Sequence, residues 1–251
     1  MRLAVFAVVA ALAACDADTA PAPVGPPGSV GVVLVVDGAV WPYGHEDFQQ
    51  PNDCREALGP CRIIKVRPGI RTPLARVLTD QLAPVGAAGS RGALVLIERE
   101  PRVVFEGDLA AMTGERLPPQ RDQEGVAPGE LGPALRVALD RLAKMPTRRK
   151  VLVGVARQFV PLPADLRVIG ERLTAGHVEV AAVSIDDRIT PTAYPGQWRT
   201  WREMYPTLGG VRVLDTEPSD VPRVVGHWAT ALQAGAPLTR PPPRPRPPPR
   251  P

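Results

Sequence analysis

Residues 31–37 read GVVLVVD, and this stretch decides the fold. Its apolar residues follow one another without the polar alternation of a half-exposed strand. A strand that is covered on both faces has this composition, which is typical of the centre of a parallel sheet packed between helices. We therefore expect the folded part of the chain to begin with the central strand of an α/β sheet.

Five further strands are predicted from runs of apolar and β-branched residues. They are residues 93–97, 102–105, 151–155, 178–185 and 211–214. A tight turn through Glu100 and Pro101 joins the first two of these strands, so that pair must be antiparallel. The other connections are long enough for helical crossovers, which make the remaining strands parallel.

Four segments between the strands carry apolar residues at the spacing of a helix face. They are residues 72–82, 131–142, 166–173 and 219–234. Thr72 and Ser219-Asp220 are typical N-terminal caps, while Gly176 and Gly235 are typical of residues that follow a last helical turn. The predicted fold class is α/β: a doubly wound, mostly parallel open sheet with one antiparallel strand.

This order of elements, with one early antiparallel hairpin, resembles the von Willebrand factor A domain. Four stretches are similar to those of that family: residues 31–37, 132–135, 148–155 and 175–185. The first is a strand that ends in Asp37, and the second, GPAL, opens a helix. The similarity covers residues 31–234 and implies the fold of the family for this region.

The resemblance also implies a place for a metal-ion-dependent adhesion site. In the family this site consists of Asp-x-Ser-x-Ser, a Thr and a second Asp, whose oxygen atoms suit the octahedral coordination of Mg²⁺. Asp37 stands at the first position. The other four positions hold Ala39, Trp41, Gly129 and Ala156, or Val155 if the register shifts by one. We therefore predict that the domain binds neither a metal ion nor another cofactor.

Residues 1–14 have the pattern of a cleaved signal peptide, with Arg2 before an apolar stretch too short to span a membrane. Residues 12–15 read LAAC and resemble the lipobox of bacterial lipoproteins. The resemblance implies that Cys15 becomes the first mature residue and is acylated on its sulfur and amine, and several acyl chains anchor a protein stably. We expect a membrane-anchored lipoprotein of the bacterial envelope, facing the periplasm or the exterior. The alternative is an ordinary signal peptide with a chance cysteine.

Two segments of low complexity flank the domain. Residues 15–30 are rich in Pro, Ala and Gly, which predicts a flexible linker after the lipidated cysteine. Residues 235–251 end in PLTRPPPRPRPPPRP, where Leu238 is the one large apolar side chain. This composition predicts a disordered tail of polyproline II character. The tail is either a peptide ligand or basic arm, or simply a solvated end.

The remaining cysteines, Cys54 and Cys61, are close in sequence. In an exported protein such a pair predicts a disulfide that closes a short loop. A metal pair is the weaker alternative, because no third or fourth ligand clusters beside these thiols.

The excess of basic over acidic residues lies mainly at the two ends of the chain. The chain has 30 Lys and Arg against 26 Asp and Glu, and five of the arginines lie in the leader and the tail: Arg2, Arg240, Arg244, Arg246 and Arg250. Two of the acids, Asp16 and Asp18, lie in the linker, which leaves a domain of nearly balanced charge. We therefore do not expect a nucleic-acid partner.

Aromatic side chains concentrate in two loops that follow predicted strands. Trp41 and Tyr43 lie after the first strand, and the loop after residue 185 contains Tyr194, Trp198, Trp201 and Tyr205. Arg157 and Gln158 follow residues 151–155 and are expected between the two loops. Ligands of open α/β sheets bind at the carboxyl ends of the strands, and Trp and Tyr commonly anchor interfaces. These residues either bind a partner or pack the two loops together as a small local core.

The sequence favours a binding protein over an enzyme. His45, His177 and His227 lie far apart in the chain and form no catalytic arrangement. We predict a lipid-anchored protein that uses its carboxyl-edge loops to bind an unidentified envelope protein or polymer without metal. One alternative is an envelope hydrolase using Asp37, Asp186 or Asp187. Another is a metal-dependent adhesin that recruits a loop ligand such as Glu130.

Overall fold

A computed structural model of the chain describes residues 25–37, 74–98, 100–116, 131–157, 159–161, 166–185, 198–200, 208–216 and 220–243. Several predictions fall outside these residues and stay predictions. They concern the signal peptide, the lipidation of Cys15, the disulfide of Cys54 with Cys61, and the carboxylates of Asp186 and Asp187. Six of the residues that the sequence predicts at the carboxyl edge also lie outside the described part: Trp41, Tyr43, Gln158, Tyr194, Trp201 and Tyr205.

The described strands form a six-stranded sheet in the order β3-β2-β1-β4-β6-β8. Their bounds are β1 Val30–Asp37, β2 Arg91–Ile97, β3 Arg102–Asp108, β4 Arg149–Arg157, β6 Val178–Ile185 and β8 Val211–Thr216. β3 pairs with β2 in antiparallel fashion, and the other neighbours are parallel. This sheet confirms the predicted fold class and the central position of the GVVLVVD strand.

Within the described ranges, four α-helices of nine residues or more cover the two faces of the sheet. They are α1 Leu74–Leu82, α2 Leu131–Lys144, α3 Leu166–Ala175 and α4 Val221–Gln233. Each matches a segment predicted from its apolar face to within two residues at either end. Residues of α1 and α4 belong to one buried cluster, and residues of α2 and α3 belong to the other.

The central strand β1 explains why its sequence is apolar throughout. Val32, Leu34 and Val36 belong to the cluster on the α1 and α4 face, whereas Val33 and Val35 belong to the cluster on the α2 and α3 face. Successive side chains of a strand point to opposite faces, so a strand between two helical layers needs apolar residues at every position.

The described residues also form a second, two-stranded sheet from β5 (Phe159–Pro161) and β7 (Trp198–Thr200). They pair in antiparallel fashion, with Phe159 opposite Thr200 and Pro161 opposite Trp198. This second sheet was not predicted from the sequence. Three residues are too few to show an alternating pattern, so no sequence signal separates these strands from loop.

The domain begins before residue 31, where the sequence predicted linker. Ser29 is fully buried, and its Oγ accepts a hydrogen bond from the backbone N–H of Arg148 at 3.3 Å. The N–H of Val30 donates to the Oγ of Ser90 at 3.0 Å, and the guanidinium of Arg148 donates to the carbonyl of Gly25 at 3.2 Å. Residues 25–30 are therefore part of the fold, because Gly25, Ser29 and Val30 form hydrogen bonds with the residues just before β4 and β2.

The domain also extends beyond residue 234, and the predicted boundary of the disordered tail is wrong for residues 235–243, which we call the strap. Leu238 is 7% exposed and belongs to the buried cluster on the α1 and α4 face. The indole N–H of Trp228 donates to the carbonyl of Thr239 at 2.9 Å. The burial of Leu238 and hydrogen bonds from α4 hold the strap against the helix, although its proline content indicates disorder. Residues 244–251 lie outside the described part.

Candidate binding site at the carboxyl edge of the sheet

The parallel strands end together at one edge of the sheet. β1 ends at Asp37 and β4 at Arg157, where Arg157 is level with Ile185 of β6, and Ile185 is in turn level with Thr216 of β8. Loops that follow β1, β4, β6 and β8 therefore leave from the same side. In open α/β sheets this carboxyl edge is where ligands bind.

The small β5–β7 sheet extends from this edge. Only Gln158 separates the end of β4 from the start of β5. β7 lies in the loop after β6 and pairs with β5, so the backbone of Trp198 is placed opposite Pro161. The loops after β4 and β6 thus meet in a hydrogen-bonded structure instead of diverging from the edge.

The pairing of β5 with β7 connects two of the segments that contain predicted partner-binding residues. Arg157 ends β4 and Trp198 begins β7, so the backbone brings the segment after β4 beside one of the aromatic loops. The other five residues predicted to bind a partner are not described: Trp41, Tyr43, Gln158, Tyr194 and Trp201. The grouping of all seven residues stays a prediction.

The residues at the metal position of the family do not fit a metal ion. Val36 pairs with Val155, so the next residues, Asp37 and Ala156, stand level with each other on adjacent strands. Ala156 is fully buried, and its methyl group offers no electron pair where the family has its second Asp. Within the described ranges, no group of three or more His, Cys, Asp or Glu side chains converges. The identity of this residue thus argues against Mg²⁺, which requires several oxygen ligands.

Two buried hydroxyl groups near this edge were missed by the sequence analysis. Ser184 of β6 stands level with Ala156, and Thr216 ends β8. Both residues are buried, and the Oγ1 of Thr216 has no hydrogen-bond partner among the described residues. A single hydroxyl in an apolar strand gives no sequence signal, because its burial depends on the neighbouring strands.

The start of α4 contributes a fixed ion pair to the same edge. The guanidinium of Arg223 donates to both carboxylate oxygens of Asp220, at 2.7 and 2.8 Å. This hydrogen bonding raises the pKa of the Arg223 guanidinium above its ordinary value. Asp220 directly precedes α4 as predicted, but its carboxylate does not cap the helix because it is held by Arg223 instead.

The described histidines do not form part of this edge. His177 lies in the turn before β6, at the opposite end of the strand, and has a φ of 48°. His227 lies in the middle of α4, where its Nε2 is 3.2 Å from the Oγ1 of Thr239. Neither His177 nor His227 therefore lies at the carboxyl edge.

Three features define the class of this domain. The sheet is mixed, with β3 as its one antiparallel strand, and helices cover both faces. The loops that follow the parallel strands leave from one edge of the sheet. The chain has a von Willebrand factor A-like fold, which confirms the resemblance seen in the sequence.

Solved structures show the same fold at low sequence identity. A von Willebrand factor type A protein from Catenulispora acidiphila is 15% identical, with a TM-score of 0.53 over 82% of this chain and 42% of its own. Proximal thread matrix protein 1 from the mussel byssus is 10% identical, with a TM-score of 0.52 over 83% of this chain and 48% of its own. The chain thus spans less than half the length of both proteins.

No protein-family profile matches the chain, and no curated protein matches its sequence. None of the helices in the described part of the chain is long and apolar enough to cross a membrane.

Proposed function

We propose that this chain is a lipid-anchored protein of the bacterial envelope that binds a protein or envelope-polymer partner without a metal ion. The role is binding and not catalysis. The partner is held by loops at the carboxyl edge, and the residues proposed to contact it are Trp41, Tyr43, Arg157, Gln158, Tyr194, Trp198 and Trp201.

The observation that carries this proposal is the pairing of β5 with β7. It ties the loop after β6, which is rich in aromatic residues, to the segment after β4, close to Arg157. Association is weakened by the entropy lost when mobile loops become ordered. A loop that already pairs with another strand loses less conformational entropy on binding. Trp and Tyr also supply large contact areas with few rotatable bonds.

The metal-free part of the proposal is supported by Ala156. Its buried methyl group is level with Asp37, so a carboxylate is missing from the position where the family supplies one. A metal-dependent adhesin would need replacement ligands, such as Glu130, to compensate for this residue and for the three other substituted positions.

Mg²⁺ or Mn²⁺ is expected to change neither the melting temperature nor the partners captured by the full-length protein. A metal ion at a hundred times its dissociation constant would stabilise the folded state by about 2.7 kcal/mol. We would measure melting curves with millimolar Mg²⁺, with Mn²⁺ and with EDTA. Affinity capture from envelope extracts, read by mass spectrometry, would be run in the same buffers. A melting temperature several degrees higher with Mg²⁺, or partners that are lost with EDTA, would overturn metal-free binding.

Cys15→Ser is expected to abolish membrane anchoring, because the acceptor of the acyl chains is removed. The variant should accumulate as an unprocessed precursor or as a protein of the aqueous phase. Detergent-phase partitioning followed by immunoblotting measures this change. Cys54→Ser is the matched control, because it makes the same replacement at a cysteine outside the LAAC sequence. Partitioning of Cys15→Ser into the detergent phase as a mature protein would contradict the lipoprotein assignment.

A further inference from the structure

The amino edge of the sheet is formed by the first residues of the parallel strands, at the end opposite to the carboxyl edge. Val30, the first residue of β1, stands level with Arg149, the first residue of β4. Just before β4, the guanidinium of Arg148 donates to the carbonyl of Gly25 at 3.2 Å. The residues that precede Gly25 therefore join the domain at the amino edge.

Three basic side chains lie at this edge, and we call Lys144, Arg148 and Lys150 the basic cluster. Lys144 ends α2, and Lys150 is the second residue of β4. Lys144 and Arg148 are exposed, and Lys150 is partly exposed. Side chains alternate along a strand, so Lys150 lies on the same face as Leu152, which belongs to the buried cluster under α2 and α3. The basic cluster thus occupies the α2 and α3 side of the amino edge.

The turn from α2 to β4 fixes the backbone of the basic cluster. It has four residues, and two of them, Met145 and Thr147, are buried. The N–H of Thr147 donates to the carbonyl of Met145, and the N–H of Arg148 donates to the Oγ of Ser29 at 3.3 Å. The three charges are therefore presented by the folded domain and not by a free loop.

Acidic side chains near the amino edge are matched by arginines outside the basic cluster. All four acidic residues of β3, α2 and β6 form ion pairs, with N–O distances between 2.6 and 2.9 Å. The pairs are Glu106 with Arg141, Asp108 with Arg91, Asp140 with Arg172 and Glu179 with Arg149. No carboxylate of the described residues pairs with a member of the basic cluster, so its three positive charges are left uncompensated there.

We propose that the basic cluster docks the amino edge onto an anionic membrane surface, the same surface that holds the acyl chains of Cys15. This inference rests on the proposed lipid anchor and adds the orientation of the domain. Gly25 follows Cys15 by ten positions, and an extended chain of ten residues spans at most about 36 Å. The anchor therefore keeps the amino edge within reach of the membrane. The carboxyl edge lies a strand length further away, roughly 25 Å for eight residues.

The attraction acts only on charges that lie close to the membrane. A Lys or Arg near an anionic surface strengthens binding by about fivefold, and the attraction decays over about 10 Å at moderate salt. Side chains of the amino edge can enter this layer while the carboxyl edge stays outside it. The docked orientation therefore leaves the loops proposed to bind a partner pointing away from the membrane.

The test measures binding to lipid vesicles by the mature chain, residues 15–251, made without its leader and with Cys15→Ser, so that no acyl chain contributes. K144Q/R148Q/K150Q is expected to bind vesicles that contain phosphatidylglycerol at least about tenfold more weakly at low salt. The matched control R116Q/R167Q/R240Q removes as many charges from other exposed positions, and its affinity should stay within about threefold. Vesicles of phosphatidylcholine alone should bind none of the three proteins. Co-sedimentation gives the affinities.

A second variant separates charge from folding, because replacing Arg148 also removes the hydrogen bond to Gly25. K144Q/K150Q keeps that bond and should melt at the temperature of the unmodified chain. We expect its affinity for the phosphatidylglycerol vesicles to fall by at least about fivefold. Normal vesicle affinity of K144Q/K150Q at an unchanged melting temperature would overturn the inference.

Two other outcomes also overturn it. An equal loss of affinity in R116Q/R167Q/R240Q would show that net charge matters and the position of the basic cluster does not. Loss of vesicle binding in inorganic phosphate, but not in sodium chloride of the same ionic strength, would assign the cluster to a free anion. Failure of the proposed anchor is seen separately, in the detergent partitioning of Cys15→Ser, because the vesicle affinities are measured on protein without acyl chains.

Discussion

Trp228→Ala is expected to lower the free energy of unfolding by about 3–5 kcal/mol, the typical range for truncating a buried Trp. Trp228 is fully buried and belongs to the same cluster as Val225, Leu232 and Leu238. Its indole also donates the hydrogen bond that holds Thr239 of the strap. The substitution therefore opens a cavity between α4 and the sheet and removes one of the hydrogen bonds that hold the strap.

Equilibrium unfolding in urea measures this loss, because the midpoint shifts with stability while the slope reports the surface exposed on unfolding. Trp228→Phe separates the two contributions. It keeps most of the buried ring and should lose about 1–2 kcal/mol, mainly the hydrogen bond and a small void. Val168→Ala on α3 is the control, since Val168 is 45% exposed and its truncation should be nearly neutral. A loss below 1 kcal/mol for Trp228→Ala would show that neither the cavity nor the strap matters for stability.

Trp198→Ala, at the carboxyl edge, is expected to weaken partner binding by at least about thirtyfold, which corresponds to 2 kcal/mol or more for an aromatic anchor at the centre of an interface. Trp201→Ala should have a similar effect. β7 begins at Trp198, and its pairing with β5 depends on backbone groups that the substitution leaves in place. Titrated capture of the partner on immobilised protein gives the affinities. Trp198→Phe should recover part of the binding, whereas Val168→Ala should bind normally.

The alternative role of the aromatic residues is a small core that packs the loops onto each other. In that case Trp198→Ala would lower stability first, and binding would weaken only in proportion to the unfolded fraction. Truncation of a large aromatic side chain in a packed environment lowers the free energy of unfolding by several kcal/mol. The two roles therefore predict different results for Trp198→Ala: a binding role predicts lost affinity at normal stability, and a packing role predicts lost stability at normal affinity of the folded fraction.

The sequence was sufficient to predict the main sheet because its strands sit between two helical layers. The run at 31–36 and the shorter runs in β2, β4 and β6 stay apolar at nearly every position, which loops and amphipathic helices do not. The antiparallel hairpin followed from the short turn at Glu100-Pro101, since a parallel connection cannot be made in so few residues. Gly235 predicted the end of α4 because a left-handed residue is needed there.

The strap could not be predicted from composition. Its prolines and Arg240 suggest a solvated chain, and its hold on α4 depends on one side chain, Leu238, and on hydrogen bonds to its carbonyl groups. Such bonds require the helix surface to be in place first. The only sequence signal was a leucine three residues after a helix-ending glycine, close enough for the chain to turn back onto Trp228.

The candidate site was only partly predictable. The resemblance assigned Ala156, or Val155 if the register shifts by one, to the second Asp position of the family. The register of Val36 with Val155 places Ala156 level with Asp37 on the adjacent strand, which the sequence alone could not show. The pairing of β5 with β7 joins residues nearly 40 positions apart in segments of three residues each. A contact of that separation depends on the tertiary fold, because β4 and β6 must first be aligned for the two segments to meet.

The central claim, that the carboxyl-edge aromatics bind the partner, is tested most directly by a thermal melt and a capture titration on one preparation of Trp198→Ala. The account predicts a melting temperature close to that of the unmodified chain together with at least thirtyfold weaker capture, in buffer containing EDTA. A melting temperature lowered by many degrees, with normal capture by the fraction that remains folded, would contradict it.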